Sequence, residues 1–234
     1  MKGKNILLTG GTGGLGIAVT KKILDAEAKS ILFTYRSPRS VVELKAELSY
    51  EEISRINFVS ADLNDESSVI SLIDQMERVD CFIHLVGGFA MGRTDEFSFT
   101  DWQKMLDLNL NNAFLLGKHC LRRMRETGYG RMVFVGSRGG VQPGAQLAAY
   151  SAAKAGLIGL VGAIAQETLE KDTDITANCV LPSVIDTPKN REAMGTQEVW
   201  RWVTPESLAG VIVFLASDAA KDIRGAAIPV YGKA

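Results

Sequence analysis

The feature that most constrains the fold lies near the amino terminus, where a short apolar run enters a glycine-rich loop. Asn-Ile-Leu-Leu at residues 5–8 is followed by Thr-Gly-Gly-Thr-Gly-Gly-Leu-Gly at residues 9–16, and apolar residues at helical spacing come next. Glycines allow a tight turn and let backbone amides approach an anion at the N-terminus of a helix. Strand, loop and helix in this order favour a phosphate-binding unit over a plain glycine-rich turn.

Strand-like and helix-like segments alternate along the rest of the chain. Six further apolar runs are predicted as strands, and they begin at Ser30, Ile56, Cys81, Arg131, Ile175 and Ala227. Most are continuously apolar, as expected for strands covered on both faces. The pattern predicts an α/β protein: a single-domain Rossmann fold over residues 1–234, with a doubly wound parallel sheet of about seven strands. One helix is predicted for residues 40–52 and one long helix for residues 101–127.

The composition limits the classes of function. The net charge is −1, which gives no basic stripe for nucleic acid or a membrane surface. Three cysteines lie in apolar runs without metal-type spacing and only two histidines occur, so no metal site is predicted. The chain shows no signal-peptide core and no run of roughly 18 unbroken apolar residues that would span a bilayer. We therefore expect a cytoplasmic protein with reduced thiols.

Tyr150 and Lys154 lie four residues apart at the start of a long apolar helix, so they share one helix face. An ammonium about 5.5 Å from a phenolate, at an effective dielectric near 20, stabilises it by roughly 3 kcal/mol. That would lower the tyrosine pKa by about two units, towards the range of acid–base catalysis. Such a pair by itself is more typical of a solvated helix face, so the interpretation depends on its neighbours.

Those neighbours follow the predicted strands at the carboxyl edge of the sheet, where ligands of such sheets bind. Ser137 comes thirteen residues before Tyr150, Asn109 lies inside the predicted long helix, and Asp62 follows the third strand. Together these motifs resemble the classical short-chain dehydrogenase/reductase family from end to end. The motifs that carry the resemblance are Thr-Gly-x-x-x-Gly-x-Gly from Thr9, Asp62-Leu63, Asn109, Ser137, Tyr150 with Lys154, Asn178, Pro182 and Ile185-Asp186-Thr187-Pro188.

The resemblance implies an NAD(P)-dependent oxidoreductase that interconverts a ketone and a secondary alcohol by hydride transfer. The substrate would be a small carbonyl compound or a 3-ketoacyl group. In this family Tyr150 would be the general acid or base, Lys154 would lower its pKa and bind the nicotinamide ribose, and Ser137 would hold the substrate oxygen. Asn109 would loosen its helix and hold a water that relays protons to Lys154.

The resemblance also implies the cofactor contacts. They are expected at Gly10, Thr12, Gly13, Gly14, Leu15, Tyr35, Arg36, Ser37, Asp62, Leu63, Val86, Gly87, Gly88, Tyr150, Lys154, Pro182, Ser183, Ile185 and Thr187. An acidic residue after the second strand would bind the adenosine ribose hydroxyls and repel a 2′-phosphate. This chain has Arg36 there, and a guanidinium pairs well with phosphate. NADP(H) is therefore favoured; NAD(H) remains an alternative because Arg36 could stack on adenine and the glycine loop lacks a further basic residue.

Three departures from the family pattern concern the site. His84 and Leu85 replace two asparagines after the fourth strand, and we interpret His84 as structural. Ser183 stands where a glycine usually follows Pro182, which would narrow the nicotinamide side of the pocket. Residues 186–203 form a short lid, which suggests a small or exposed substrate pocket.

Two other functions are alternatives for this sequence, and one of its helices predicts an assembly. A non-catalytic cofactor-binding sensor of this fold is expected to lack one of the catalytic residues, and a nucleotide-sugar epimerase would need a further domain. The helix after Tyr150 is apolar nearly all round and carries Gly156, Gly159 and Gly162. Such a helix is buried on several sides, so we expect it and the helix from Asp101 to pair with symmetry mates in a homodimer or homotetramer. A purely intramolecular core is the alternative.

Overall fold

The computed structural model describes residues 1–233, and all seven of its named strands lie in one parallel sheet. The strands are β1 (Asn5–Thr9), β2 (Ser30–Tyr35), β3 (Ile56–Ser60), β4 (Cys81–His84), β5 (Tyr129–Val135), β6 (Asp174–Pro182) and β7 (Ala227–Val230). Their order across the sheet is β3-β2-β1-β4-β5-β6-β7. The prediction of a seven-stranded, doubly wound parallel sheet is confirmed.

Helices cover both faces of the sheet. They are α1 (Gly14–Asp25), α2 (Pro38–Lys45), α3 (Tyr50–Ser54), α4 (Glu66–Ile73), α5 (Phe99–Leu106), α6 (Asn112–Thr127), α7 (Ala148–Glu167), α8 (Pro188–Met194) and α9 (Pro205–Leu215). Ile6 and Leu8 of β1 face a core shared with α1 and α9. Leu7 faces the opposite core, which is shared with α4, α6 and α7. Because both faces are buried, the strands are continuously apolar.

The chain reverses its winding direction between β1 and β4. β1 pairs with β2 on one side and with β4 on the other, and Thr9 lies opposite His84 at the carboxyl ends. The connections from these two strands leave in opposite directions, which opens a crevice at this edge. The glycine loop after β1 and the Gly87-Gly88 turn after β4 border that crevice.

Two predicted helices are divided in the structure. The helix predicted for residues 40–52 is α2 followed by α3, because Ser49 and Glu52 form a capping box that starts a new helix. The helix predicted for residues 101–127 is α5, a π-helical turn (Asp107–Asn111) and α6. α6 ends at Gly128, whose φ of 68° is the left-handed conformation usual after a helix.

α7 is the one helix of the described part that is long and apolar enough to cross a membrane by length and composition. It packs against β6 and buries Leu157, Val161 and Ile164 in the core. A core helix passes the same test, so its composition is weak evidence for a membrane span.

Candidate active site

The glycine loop packs too tightly for side chains at several of its positions. Gly10 has a φ of 76°, and a Cβ there would lie 2.7 Å from the backbone nitrogen of Val86. This contact brings the loop after β1 against the loop after β4. A Cβ on Gly14 would lie 2.9 Å from Cγ2 of Thr187, so the segment before α8 closes over the start of α1. Larger residues would push these three segments apart.

The first amides of α1 have no side-chain cap. Gly13 occupies the N-cap position, and the first turn carries no acidic residue. These N–H groups and the helix dipole suit a diphosphate. The loop therefore fits the phosphates of a dinucleotide.

Ser137 and Tyr150 meet at the carboxyl end of β5. Ser137 follows that strand, and its Oγ accepts a hydrogen bond of 3.1 Å from the amide of Gly139. A Cβ on Gly139 would lie 3.4 Å from Cε1 of Tyr150 and 3.5 Å from Oγ of Ser137, so this turn packs against both side chains. Tyr150 is in the first turn of α7. Its ring packs against that of Phe89 in a T-shaped arrangement, with the centroids 5.1 Å apart.

Lys154 is buried beneath these groups. Its Nζ donates a hydrogen bond of 2.8 Å to the carbonyl of Val135. A Cβ on Gly87 would lie 3.2 Å from that Nζ and 3.0 Å from Oδ1 of Asn109, so the turn after β4 passes over both side chains. Burial lowers the pKa of Lys154 to about 8.

The prediction that Lys154 lowers the pKa of Tyr150 is wrong. Burial raises the pKa of this phenol, and the Ser137 hydroxyl opposes that shift. The ammonium of Lys154 is hydrogen-bonded to the carbonyl of Val135. Burial lowers its pKa to about 8 and so disfavours the charged form. Spacing on a helix specifies a shared face, but it does not specify the desolvation of the groups on that face.

Asn109 lies in the π-helical turn and is fully buried. Its Nδ2 donates to the carbonyl of Met105 at 3.1 Å, and its Oδ1 accepts from the amide of Gly88 at the same distance. A side-chain amide that bonds the carbonyl four residues earlier competes with the helix ladder. Asn109 thereby ties the irregular turn to the loop after β4.

His84 connects the ends of the two strands that border the crevice. Its Nδ1 and Oγ1 of Thr9 share a hydrogen bond of 2.7 Å. Burial and the charge of Lys154 lower the pKa of His84 to about 3, and Asn112 opposes the shift. The imidazole is therefore neutral at physiological pH, and it packs against the rings of Phe82 and Phe134, which also contact each other. Leu85 is half-buried and packs against the core on the α1 side.

The residues predicted for the adenosine end follow β2 and β3. Tyr35 ends β2, and Arg36 and Ser37 are exposed beyond it. Arg39, the next basic residue, is bonded to Glu43 at 3.1 Å. Asp62 follows β3, and its Oδ1 accepts from the amide of Asn64.

The remaining predicted residues line the other side of the crevice. Ser183 donates its hydroxyl to the carbonyl of Tyr231 at 2.7 Å, Ile185 pairs with Val203, and Thr187 caps α8 through the amide of Asn190. Pro182, Leu63 and Val86 adjoin the strand ends, Leu15 is buried in the core, and Thr12 lies in the glycine loop.

The structure thus brings Asn109, Ser137, Tyr150 and Lys154 to the ends of β4 and β5, with the glycine loop beside them. The sequence interpretation did not include Phe89, which contacts Tyr150. The sequence signal that could have identified Phe89 as a site residue is its position directly after Gly88.

Comparison with known proteins agrees with this geometry. A family model described as short chain dehydrogenase matches residues 4–198. The 3-oxoacyl-[acyl-carrier-protein] reductase MabA of Mycobacterium tuberculosis is 30% identical over 98% of this chain and 92% of its own length. The NADP-dependent (R)-specific alcohol dehydrogenase of Lentilactobacillus kefiri is 30% identical over 99% of this chain and 96% of its own. A solved structure of ElxO with NADP bound superposes with a TM-score of 0.89 at 25% identity, over 99% of this chain and 98% of that one.

A parallel sheet with this crevice and these side chains defines an oxidoreductase of the Rossmann type. The chain belongs to the short-chain dehydrogenase family.

Proposed function

We propose that the protein reduces a ketone to a secondary alcohol, or catalyses the reverse reaction, with NAD(P)(H) as cofactor. The observation that supports this most is the convergence of Ser137, Tyr150, Lys154 and Asn109 beside a glycine loop with uncapped amides. MabA and the Lentilactobacillus enzyme are named for carbonyl or alcohol chemistry, so a 3-ketoacyl group and a small ketone are both candidate substrates.

Each side chain has a definite task in this proposal. Bound nicotinamide supplies the hydride. Ser137 holds the substrate oxygen and stabilises the charge that develops on it. Tyr150 donates a proton from Oη to that oxygen as the carbonyl is reduced.

Lys154 and Asn109 support the proton transfer. An amine with a pKa of about 8 exchanges protons readily near neutrality. Lys154 can therefore supply a proton that replaces the one donated by Tyr150. Asn109 fixes the turn above Lys154 through the amide of Gly88.

The activity is tested by following NADPH oxidation with a panel of small ketones and 3-ketoacyl thioesters. At least one compound should be reduced by the wild-type protein and not by Tyr150→Phe. If NADPH binds, as measured by its fluorescence, but no compound is reduced, the catalytic proposal is wrong.

NADP(H) is the proposed cofactor. Arg36 is exposed after β2, and the next acidic residue along the sequence is Glu43. Comparing kcat/KM for NADPH and NADH tests the choice, and a preference for NADH would contradict it. Arg36→Ala should lose affinity for NADPH at least tenfold, about 1.4 kcal/mol, with little change for NADH. Arg39→Ala is the matched control, because Arg39 is already paired with Glu43.

We also propose a cytoplasmic homodimer or homotetramer that acts on a small molecule and binds neither nucleic acid nor membrane. The three cysteines are free buried thiols, as expected in a reducing compartment. The net charge of −1 provides no attraction to polyanions.

A further inference from the structure

The serine of the site lies at the start of a short turn, residues 137–140, which we call the serine turn. Ser137 has an extended backbone, with a φ of −166° and a ψ of 153°. Consecutive side chains leave an extended chain on opposite sides. Ser137 and the ring of Tyr150 both pack against Gly139. Arg138 therefore leaves the turn on the side away from Ser137 and Tyr150.

The Arg138 side chain meets an aromatic ring there. Its guanidinium lies over Tyr231, 5.7 Å from the ring centroid. A guanidinium within about 6 Å of a ring centroid is attracted to the face of the ring. Tyr231 is half-buried and packs against the core that the sheet shares with α4, α6 and α7. The ring therefore joins the serine turn to this core.

The backbone of Tyr231 is also held. β6 and β7 are paired up to their last residues, and Ser183 and Tyr231 are the residues that follow them. Oγ of Ser183 donates a hydrogen bond of 2.7 Å to the carbonyl of Tyr231. A glycine, which the family usually has at this position, offers no hydroxyl for that bond. Two residues after Tyr231, the amide of Lys233 donates to the carbonyl of Arg201 at 2.9 Å.

The hydrogen bonds of the serine turn shape it from within. The amide of Gly139 donates to Oγ of Ser137 at 3.1 Å, and the amide of Gly140 donates to the Ser137 carbonyl at 3.0 Å. The turn meets the rest of the fold through α7, against which Gly139 and Gly140 pack, and through the contact of Arg138 with Tyr231. Removing the ring would leave α7 as the main support of the turn.

The exact place of the Ser137 hydroxyl matters for the proposed reaction. A positioned donor that stabilises charge on a substrate oxygen contributes roughly 10²–10³-fold to kcat. Such a donor loses much of its effect when it is misplaced by about 1 Å, even if the cause lies away from the reacting atoms.

We propose that Tyr231 is a positioning residue for Ser137: it holds Arg138, and with it the serine turn, where the Ser137 hydroxyl meets the substrate oxygen. This inference rests on the proposed function and adds a residue from the end of β7 to it. Tyr231 acts through Arg138 and Ser137, and Ser183 fixes Tyr231 in turn.

The test is a double-mutant cycle with NADPH and a ketone that the wild type reduces. Tyr231→Leu should lower kcat at least about fivefold, with NADPH affinity unchanged by fluorescence. In a Ser137→Ala background the same substitution should change kcat less than about twofold, because the hydroxyl that Tyr231 positions is gone. Tyr231→Phe keeps the ring and should keep kcat. Phe58→Leu is the matched control on β3, because Lys45 lies over that ring at 4.8 Å.

Hydrogen exchange of residues 136–142 provides a readout without turnover. Exchange there should be faster in Tyr231→Leu than in the wild type, and unchanged in Phe58→Leu. If the wild type reduces no compound, this result still supports the anchoring of the turn, and only the proposed reaction fails.

Three results would overturn the proposal. The first is unchanged exchange or unchanged kcat in Tyr231→Leu. The second is an equal effect of Phe58→Leu, which would indicate a general loss of stability. The third is an equal loss of kcat in the Ser137→Ala background, which would mean that Tyr231 acts independently of Ser137.

Discussion

At the scale of single residues, burial has a larger effect on the site than charge pairing. The phenol of Tyr150 has a raised pKa and the amine of Lys154 has a lowered one, and desolvation is the largest cause of each shift. Both shifts favour the uncharged forms. The protein's own groups therefore make the Tyr150 phenol a weaker acid, and the Lys154 ammonium a stronger one, than the free side chains.

Tyr150→Phe should abolish that donation while keeping the ring. We expect kcat to fall by the roughly 10²–10⁴-fold typical of a positioned acid, with cofactor affinity nearly unchanged. Steady-state kinetics and NADPH fluorescence measure the two quantities. Tyr50→Phe is the matched control, because Tyr50 is 89% exposed on α3. Turnover of Tyr150→Phe close to that of Tyr50→Phe would remove this tyrosine from the mechanism.

The sequence predicted where these residues lie in the fold better than it predicted their properties. Ser137, Tyr150 and Lys154 were identified from motif and order, because a parallel sheet gathers its strand ends at one edge. The pKa of Tyr150 could not be predicted, since it depends on how deeply the folded chain buries the phenol. The contact of the Arg138 guanidinium with Tyr231 likewise could not be predicted, because the two residues are 93 positions apart in the sequence.

At the scale of elements, strands were predicted more accurately than helix interruptions. Continuous apolar runs specify buried parallel strands, and all seven appear. The break between α2 and α3 had a visible signal, the Ser-x-x-Glu pattern at residues 49–52. The hydrophobic periodicity gave no signal for the π-helical turn, because that turn depends on the hydrogen bonds of the buried side-chain amide of Asn109.

Asn109→Ala tests whether that amide maintains the π-helical turn. The substitution leaves the amide of Gly88 without its side-chain partner, and a buried unsatisfied group costs about 1–3 kcal/mol. We expect the free energy of unfolding in urea to fall by that amount and kcat to fall with it. Asn111→Ala is the control in the same turn, where the amide bonds Asp107 at the surface. Equal effects of the two substitutions would show that Asn109 has no special role.

At the scale of the whole molecule, α7 has one face in the core and one face outside it. The outer face carries small residues, namely Ala152, Ala155, Gly159 and Ala163. A Cβ added at Gly159 would meet no atom within 4 Å. A helix of this composition is expected to be covered on more than one side.

Light scattering at micromolar concentration should therefore return a multiple of the chain mass of 25.3 kDa. Gly159→Glu should shift the protein towards monomer, because it places a charge on the outer face where the chain itself leaves room. Val42→Glu, on the exposed side of α2, should leave the mass unchanged. A wild-type mass near that of one chain would refute the assembly.

The buried His84 makes stability depend on pH across the whole fold. Its pKa is about 3 in the folded protein, against about 6.5 in an unfolded chain. Between these values the unfolded chain binds a proton that the folded protein does not, so the free energy of unfolding decreases as the pH falls. One such group contributes a slope of up to about 1.4 kcal/mol per pH unit.

His84→Asn should remove this contribution while preserving a polar partner for Thr9. We expect the free energy of unfolding in urea to fall less steeply for His84→Asn than for the wild type between about pH 6.5 and 4.5, and the two slopes to agree above pH 7.5, where neither state binds the proton. The comparison of slopes cancels the carboxylates, which titrate in both proteins. Parallel pH profiles throughout would mean that His84 keeps an ordinary pKa, and that water reaches the ring beside Phe82 and Phe134.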